Sequence, residues 1–385
     1  MVPQIPSFDP LPLPAPAWLL SALLILTFVL HLLSMNLLLG GTFIAVVARM
    51  RRGSETQQRL SRLVARALPV LVAATVTFGV AALLFLQVLY DRLFFTSAVL
   101  LAVPWFAVVV ILIATYYAAY FASMRAKAGR VPVAALWSVA IGLAVVAFLY
   151  ANVMGLMLRP AEFLVRARAS ASGLHLNLSD PTLVPRYLHV LLGAIAVSGL
   201  GIAVWGSILR RRDAAFGAWM SVHGVYWAAG TTILNFLPGF WWLVALPREA
   251  LLALLGHDPL AALCFACGVL ASLGALALLV PAAFAPDPRR LLYGAAGSLG
   301  LAVTLMVLVR DAARRITLAP TGFATTAWVV PRWGPVAVFA GLFVAAVVTV
   351  IWMVVTLARG APALGNQDSG VGSQELEVGG RGSLQ

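Results

Sequence analysis

The sequence predicts an all-α fold: a polytopic membrane helix bundle of about nine transmembrane helices, N-terminus outside and C-terminus inside. Three observations carry that prediction. Of the 385 residues, 62% are hydrophobic and only 10% charged, against about 45–50% apolar and about 25% charged in soluble domains. The apolar residues gather in long uninterrupted runs of about 20 or more, the length a helix needs to cross the hydrocarbon core. The basic residues fall between those runs. So much apolar surface, with a mean hydropathy of +0.98, excludes a soluble enzyme, a disordered regulator and a disulfide scaffold. A net charge of +13 and a pI near 10.9 would suit nucleic acid. Arginines that alternate with apolar runs instead set membrane topology, and no nucleic-acid partner is expected.

The first run, 17–48, lacks the charged start and cleavage site of a secretory signal and reads as a retained span behind an outer segment, 1–16. The remaining runs are 67–89, 97–123, 132–158, 186–209, 214–246, 259–284, 291–309 and 334–358. They are continuous rather than alternating, which favours helices over barrel strands. Residues 17–358 thus read as one membrane domain, and the Gly- and Ser-rich 359–385 as a disordered cytoplasmic tail. With the N-terminus outside, segments 49–66, 124–131, 210–213, 285–290 and the tail hold 16 of the 26 Lys and Arg. That bias predicts N-out and C-in, in a multi-pass protein of the cell inner (plasma) membrane. Cys264 and Cys267 lie inside a run, where they read as packing residues silent about compartment.

The outer basic residues cluster as Arg159, Arg166, Arg168 and Arg186, and as Arg310, Arg314, Arg315 and Arg332. They read either as solvated loop ends or as a means of neutralising anionic groups, such as heme propionates or a partner protein. The planar guanidinium suits the second role because it can bind a carboxylate with two hydrogen bonds.

All 13 acidic residues fall in loops or within about a turn of a span end. This weighs against a proton pump, an acid-relay antiporter or a cation channel, though not against a carrier of neutral solutes. Histidine is the polar residue that enters the spans: His31 in the first, His189 at the outer start of the fifth, His223 in the inner half of the sixth. His175 and His257 fall in outer loops. One intramembrane histidine usually hydrogen-bonds a neighbouring helix. Three among so little other polar chemistry favour cofactor ligation, and neutral imidazole is the usual axial ligand of b-type heme. Cys267 is followed by Gly268, so the covalent c-type attachment motif is absent. No phosphate loop, nucleophile elbow or zinc spacing occurs. Gly40, Gly41, Gly193 and Gly199 read as sites of close helix packing.

Three segments carry a resemblance: His31-Leu-Leu-Ser-Met-Asn-Leu-Leu-Leu-Gly40, Pro185-Arg186-Tyr187-Leu188-His189 with Arg210-Arg211-Arg212-Asp213 behind it, and Arg310-Asp311-Ala312-Ala313-Arg314. Gly79-Val80-Ala81 through Asp91 is a fainter echo. In these the chain resembles subunit I of cytochrome bd quinol oxidases, a nine-span heme protein with an outside N-terminus. The resemblance implies His31 as a high-spin heme ligand, His189 as a low-spin b heme ligand, and Arg310, Asp311 and Arg314 beside the high-spin hemes.

The departures are equally specific. The family's third span carries glutamates, and this one has no acid. Asp311 stands where the family has a ligating Glu, and its arm is shorter. The long quinol-binding loop is replaced by a short connector around Pro247-Arg248-Glu249. No Met in the seventh span pairs with His189, and His223 is extra to the pattern.

The expected function is a membrane heme b subunit moving electrons between the quinone pool and a partner redox protein on the outer face. A terminal quinol:oxygen oxidoreductase with altered heme ligands is the alternative. A heme-free scaffold, or a carrier of an apolar substrate, is the reading from another class. The expected partners are membrane lipid, quinone and other redox subunits. His31 and His189 are the expected iron ligands, with Arg186, one turn above His189, set to meet propionates. His223 is a further candidate, through a pair with His31 across the first and sixth spans.

Overall fold

A computed structural model describes residues 12–51, 54–169, 172–323 and 328–359. Most of the expected outer segment (1–11) and of the expected tail (360–385) lies outside the described residues. Among the described residues the fold is a helical bundle. Its helices are α1 (Ala17–Met50), α2 (Glu55–Leu89), α3 (Asp91–Leu100), α4 (Ala102–Lys127), α5 (Val133–Leu156), α6 (Phe163–Ala169), α7 (Leu183–Leu209), α8 (Ala214–Val244), α9 (Arg248–Leu252), α10 (Pro259–Ala282), α11 (Arg289–Leu318) and α12 (Trp333–Arg359).

Eight of them, α1, α2, α4, α5, α7, α10, α11 and α12, are long and apolar enough to cross a membrane. The remaining expected span, the sixth (214–246), is α8, 31 residues without a charged side chain. Its mean hydropathy is lowered by Trp219, Trp227, Trp241, Trp242, His223 and Asn235. The connections define two ends. At one, Arg49 donates to the Val131 carbonyl, Arg59 pairs with Asp213, and Arg210 donates to the Pro286 carbonyl. At the other, Leu13 bridges to Val329 and the connectors after α5, α8 and α11 gather. The α8 helix leads from the first end to the second, so it runs the full height of the bundle. The first end, which carries the excess of arginine, is called inner here and the second outer.

Three boundaries differ from the sequence reading. The expected third span, 97–123, is broken at Leu101 into α3 and α4. Pro104 has no N–H for the Leu100 carbonyl and its ring crowds that carbonyl, which favours the break between α3 and α4. The α2 helix starts at Glu55, capped by the Ser54 hydroxyl, which accepts from the Gln57 amide. Much of the expected inner segment 49–66 is therefore helical. Finally, α11 does not stop near residue 309 but continues to Leu318. Arg310, Asp311, Arg314 and Arg315 are helical residues and not part of an outer loop. The helix can continue because these charges find partners inside the bundle.

Small residues set the packing. Gly199 and Gly206 on α7 face Gly224 and Gly217 on α8, and a Cβ at Gly199 would lie 2.5 Å from the Ala228 nitrogen. On the opposite side of α7, Gly40 of α1 sits against the Ala194 backbone, and the Ser198 hydroxyl donates to the Asn36 carbonyl at 2.8 Å. In a membrane such close backbone approach supplies the dispersion contact that a hydrophobic driving force supplies in water. These contacts fix α1 and α7 side by side. His31 and His189 both lie toward the outer end from that crossing, at comparable depth.

Candidate functional site

The histidines of α1 and α7 are held in the same way. His31 Nδ1 lies 3.0 Å from the Thr75 carbonyl of α2, and His189 Nδ1 lies 3.3 Å from the Asn235 carbonyl of α8. A carbonyl only accepts, so Nδ1 carries the proton in each ring and Nε2 keeps its lone pair. Each carbonyl is followed four residues later by a glycine, where the helix's own hydrogen bond to it originates. A Cβ at Gly79 would lie 2.6 Å from His31 Nδ1, and one at Gly239 would lie 3.1 Å from His189 Nδ1. The missing side chain is what lets each imidazole reach the neighbouring backbone. Neither Nε2 has a hydrogen-bond partner among the described residues.

A cavity of about 270 Å³ opens at the outer end, between the end of α5, the start of α7, the end of α8 and the outer third of α11. Arg159, Arg186, Arg310 and Arg314 line it, with Asp180 as the one carboxylate and Trp242 on the α8 side. Arg186 donates to the Ala151 carbonyl at 3.0 Å and reaches Asp180 Oδ2 at 3.4 Å. Asp180 is buried, and its other oxygen accepts from the Thr182 amide and hydroxyl at 2.9 and 2.7 Å. Arg310 lies over the Phe28 ring at 4.5 Å, and Phe28 in turn stacks on His31 with ring centroids 6.1 Å apart. Arg314, also buried, sits 5.0 Å from the centre of the Tyr90 ring and 3.7 Å from Asp311 Oδ1. Asp311 Oδ2 is held at 3.0 Å by Arg315. Cation–π contact and the low-lying carboxylates offset part of the cost of burying these guanidinium groups. Two donors remain unanswered: Arg186 Nε and Arg314 Nη1 are buried without an acceptor.

Of the seven residues singled out in the sequence, the structure gathers Arg186, Arg310 and Arg314 around the cavity, with Asp311 beside Arg314 and His31 beside Arg310 through Phe28. His189 follows one turn below Arg186 on α7. His223 stands apart, in the inner half. Its Nε2 accepts from the indole N–H of Trp227 at 3.1 Å, and Trp227 packs edge-on against Phe43. Phe43 is twelve residues inward of His31, about 18 Å along α1, so the structure does not bring His223 and His31 together.

Sequence reasoning missed Asp180, Trp242 and the two glycine–carbonyl cradles. Only Gly79 and Gly239 were visible in the sequence, since the Thr75 and Asn235 contacts are made by backbone carbonyls that every residue carries. The outer loop is knitted onto this region by Arg166, which donates to Glu162, Asn177 and Ser179. Beside it, burial and the Arg166 charge hold the His175 imidazole below its usual pKa. At the inner end the hydrogen bond from Arg59 holds the Asp213 carboxyl below its usual pKa.

The fold has a known counterpart. The chain is similar to the solved structure of a bd oxidase from Geobacillus thermodenitrificans, with a TM-score of 0.70 at 14% identity over 91% of this chain and 100% of that one. No family model and no curated protein matches the sequence. The architecture is thus that of a bd oxidase chain, a multi-pass helical membrane protein.

Proposed function

We propose that the chain is a heme b-binding membrane subunit that carries electrons between the quinone pool and a redox partner at the outer end. One observation carries the reading. Two histidines of fixed tautomer keep a free Nε2 lone pair, one a turn inward of Arg186 and one stacked on the Phe28 that carries Arg310, and both arginines line a cavity in which buried guanidinium donors lack acceptors. That set fits heme on both counts: imidazole for iron, and cations for two carboxylates.

When bound, heme supplies a one-electron couple within the apolar bundle. The remaining tasks belong to the protein. The Thr75 and Asn235 carbonyls orient the His31 and His189 rings and raise their basicity, as the outer partner of a metal-ligating histidine does. Arg186 and Arg314 offer free N–H groups to carboxylates at the outer end. Phe28 and Tyr90 hold Arg310 and Arg314 in place, and Asp180 balances part of their charge. Asp311 is engaged by Arg315 and faces Arg314, which leaves its carboxylate as a counter-ion rather than a free ligand. That engagement favours electron transfer over the terminal-oxidase alternative.

The test is spectroscopic. Protein purified from a heme-replete membrane should give a reduced-minus-oxidised alpha band of b heme and a pyridine-hemochrome stoichiometry of one or more per chain. Colourless, folded protein from the same membranes would overturn the reading in favour of the scaffold or carrier.

A further inference from the structure

The inner half of the bundle holds a second arrangement that the outer site does not use. Four aromatic residues of α8 stand on one face, three to four residues apart: Phe216, Trp219, His223 and Trp227. Arg59 lies 4.1 Å over the Phe216 ring, which stacks on Trp219 with centroids 5.9 Å apart. Trp219 in turn stacks on His223 at 4.7 Å with the planes 12° apart. Trp227 stands nearly perpendicular to the imidazole, at 80°. The result is a corner of flat and upright rings, and Trp219, His223 and Trp227 are all half-buried rather than enclosed.

The hydrogen bond from Trp227 decides the chemistry of that corner. An indole N–H only donates, so His223 Nε2 is the acceptor and the neutral ring carries its proton on Nδ1. Nδ1–H has no partner among the described residues, and it does not count among the buried unpartnered atoms. It is a fixed donor on an accessible surface. It lies ten residues from the Asp213 cap, about 15 Å along α8, a depth at which a spanning helix leaves a polar group little water. An unanswered donor there costs free energy, and a ligand with a carbonyl oxygen removes that cost.

We propose that this corner of α8 binds the headgroup of a quinone entering from the inner leaflet, with one quinone carbonyl accepting from His223 Nδ1 and the ring packed against the α8 aromatics. The inference rests on the reading of the chain as quinone-linked, but it concerns a site separate from the outer cavity. A planar, apolar ring with a strong carbonyl acceptor matches the three features present: aromatic faces, one donor, and partial exposure of the rings. An acyl chain would satisfy the first and third and leave the donor unanswered.

The experiment uses the full chain in lipid nanodiscs, with a decyl-substituted benzoquinone as probe and quenching of tryptophan fluorescence as readout. His223→Phe keeps a ring in the stack and removes the donor. It should weaken probe binding roughly five- to tenfold, the worth of one hydrogen bond, while heme content and spectrum stay as in the parent. Trp227→Phe frees Nε2 and unlocks the tautomer, and should weaken binding a few-fold. A photoreactive azidoquinone should label α8 between residues 214 and 244. Unchanged affinity in His223→Phe, or labelling confined to the outer cavity, would overturn the proposal. Loss of heme in the parent protein would instead count against the outer-site reading, so the two failures are distinguishable.

Discussion

The outer and inner halves of this bundle are built from the same residue types and use them in opposite ways. In the outer half, histidines are fixed by backbone carbonyls with Nε2 free, and arginines turn inward on a cavity with too few acceptors. In the inner half, His223 has its Nε2 taken by an indole, and Arg51, Arg125, Lys127, Arg130, Arg211 and Arg212 stay exposed, while the half-buried Arg59 is answered by Asp213 and the Phe216 ring. The difference lies in what surrounds each group. An exposed arginine at the membrane surface sets orientation at little cost, whereas a buried one must be answered by a carboxylate, an aromatic face or a bound anion.

The sharpest way to break this contrast is to exchange histidine for alanine in each half. His189→Ala should remove a b heme and its low-spin alpha band, measured as hemochrome per chain, whereas His223→Ala should leave both unchanged. Equal losses from the two variants would mean that the halves are not functionally distinct. The next effect concerns the cradles. Gly79→Ala puts a methyl 2.6 Å from His31 Nδ1, so it should displace the ring and lower heme occupancy. Gly239→Ala, at 3.1 Å from His189, should mainly shift the spectrum. The reverse order of severity would contradict the geometry.

A smaller effect is expected at the cavity. Arg186→Gln removes a cation near the proposed iron and should lower its reduction potential in a redox titration, since a nearby positive charge favours the electron-rich, reduced state. Arg125→Gln, exposed at the inner end, should leave the potential unchanged. The smallest effect concerns Asp213, whose folded pKa lies below the usual 3.8 because Arg59 donates to it. A depressed carboxyl adds stability above the unfolded pKa, and that stability is lost as pH falls through the folded value. Asp213→Asn should therefore lower the melting temperature slightly at pH 7, by an amount that shrinks as the pH falls through the folded pKa. The pair is partly exposed, so solvent screening keeps the effect small.

Much of the fold was legible because hydropathy in a membrane protein reports directly on which segments cross. The outer end of α11 was not. Arg310, Asp311, Arg314 and Arg315 lower the local hydropathy as a loop would. What keeps them helical is Phe28 on α1 and Tyr90 after α2, contacts distant in sequence. His31 and His189 were legible as candidates from their depth alone. Their partners were not, because a backbone carbonyl has no letter in the sequence and a glycine has many uses. The Trp219–His223–Trp227 spacing of four residues was written plainly in α8, yet reading it required knowing that Trp227 donates to Nε2 and thereby turns the proton to Nδ1.

One further feature bears on how the protein is made. The Leu13 amide donates to the Trp328 carbonyl, the Leu13 carbonyl accepts from Val330, and the Pro14 carbonyl accepts from Arg332. This clip joins the segment before α1 to the segment before α12. During synthesis Leu13 and Pro14 emerge long before residues 328–332, and they wait for these backbone partners until that segment has left the ribosome. The last helix touches the bundle chiefly through Phe339 and Phe343 against Phe85 and Phe78 of α2. Translation order and the clip together place latching of α12 after synthesis of α1 to α11, so chains truncated before residue 328 should insert but remain unlatched, exposed to membrane quality-control proteases.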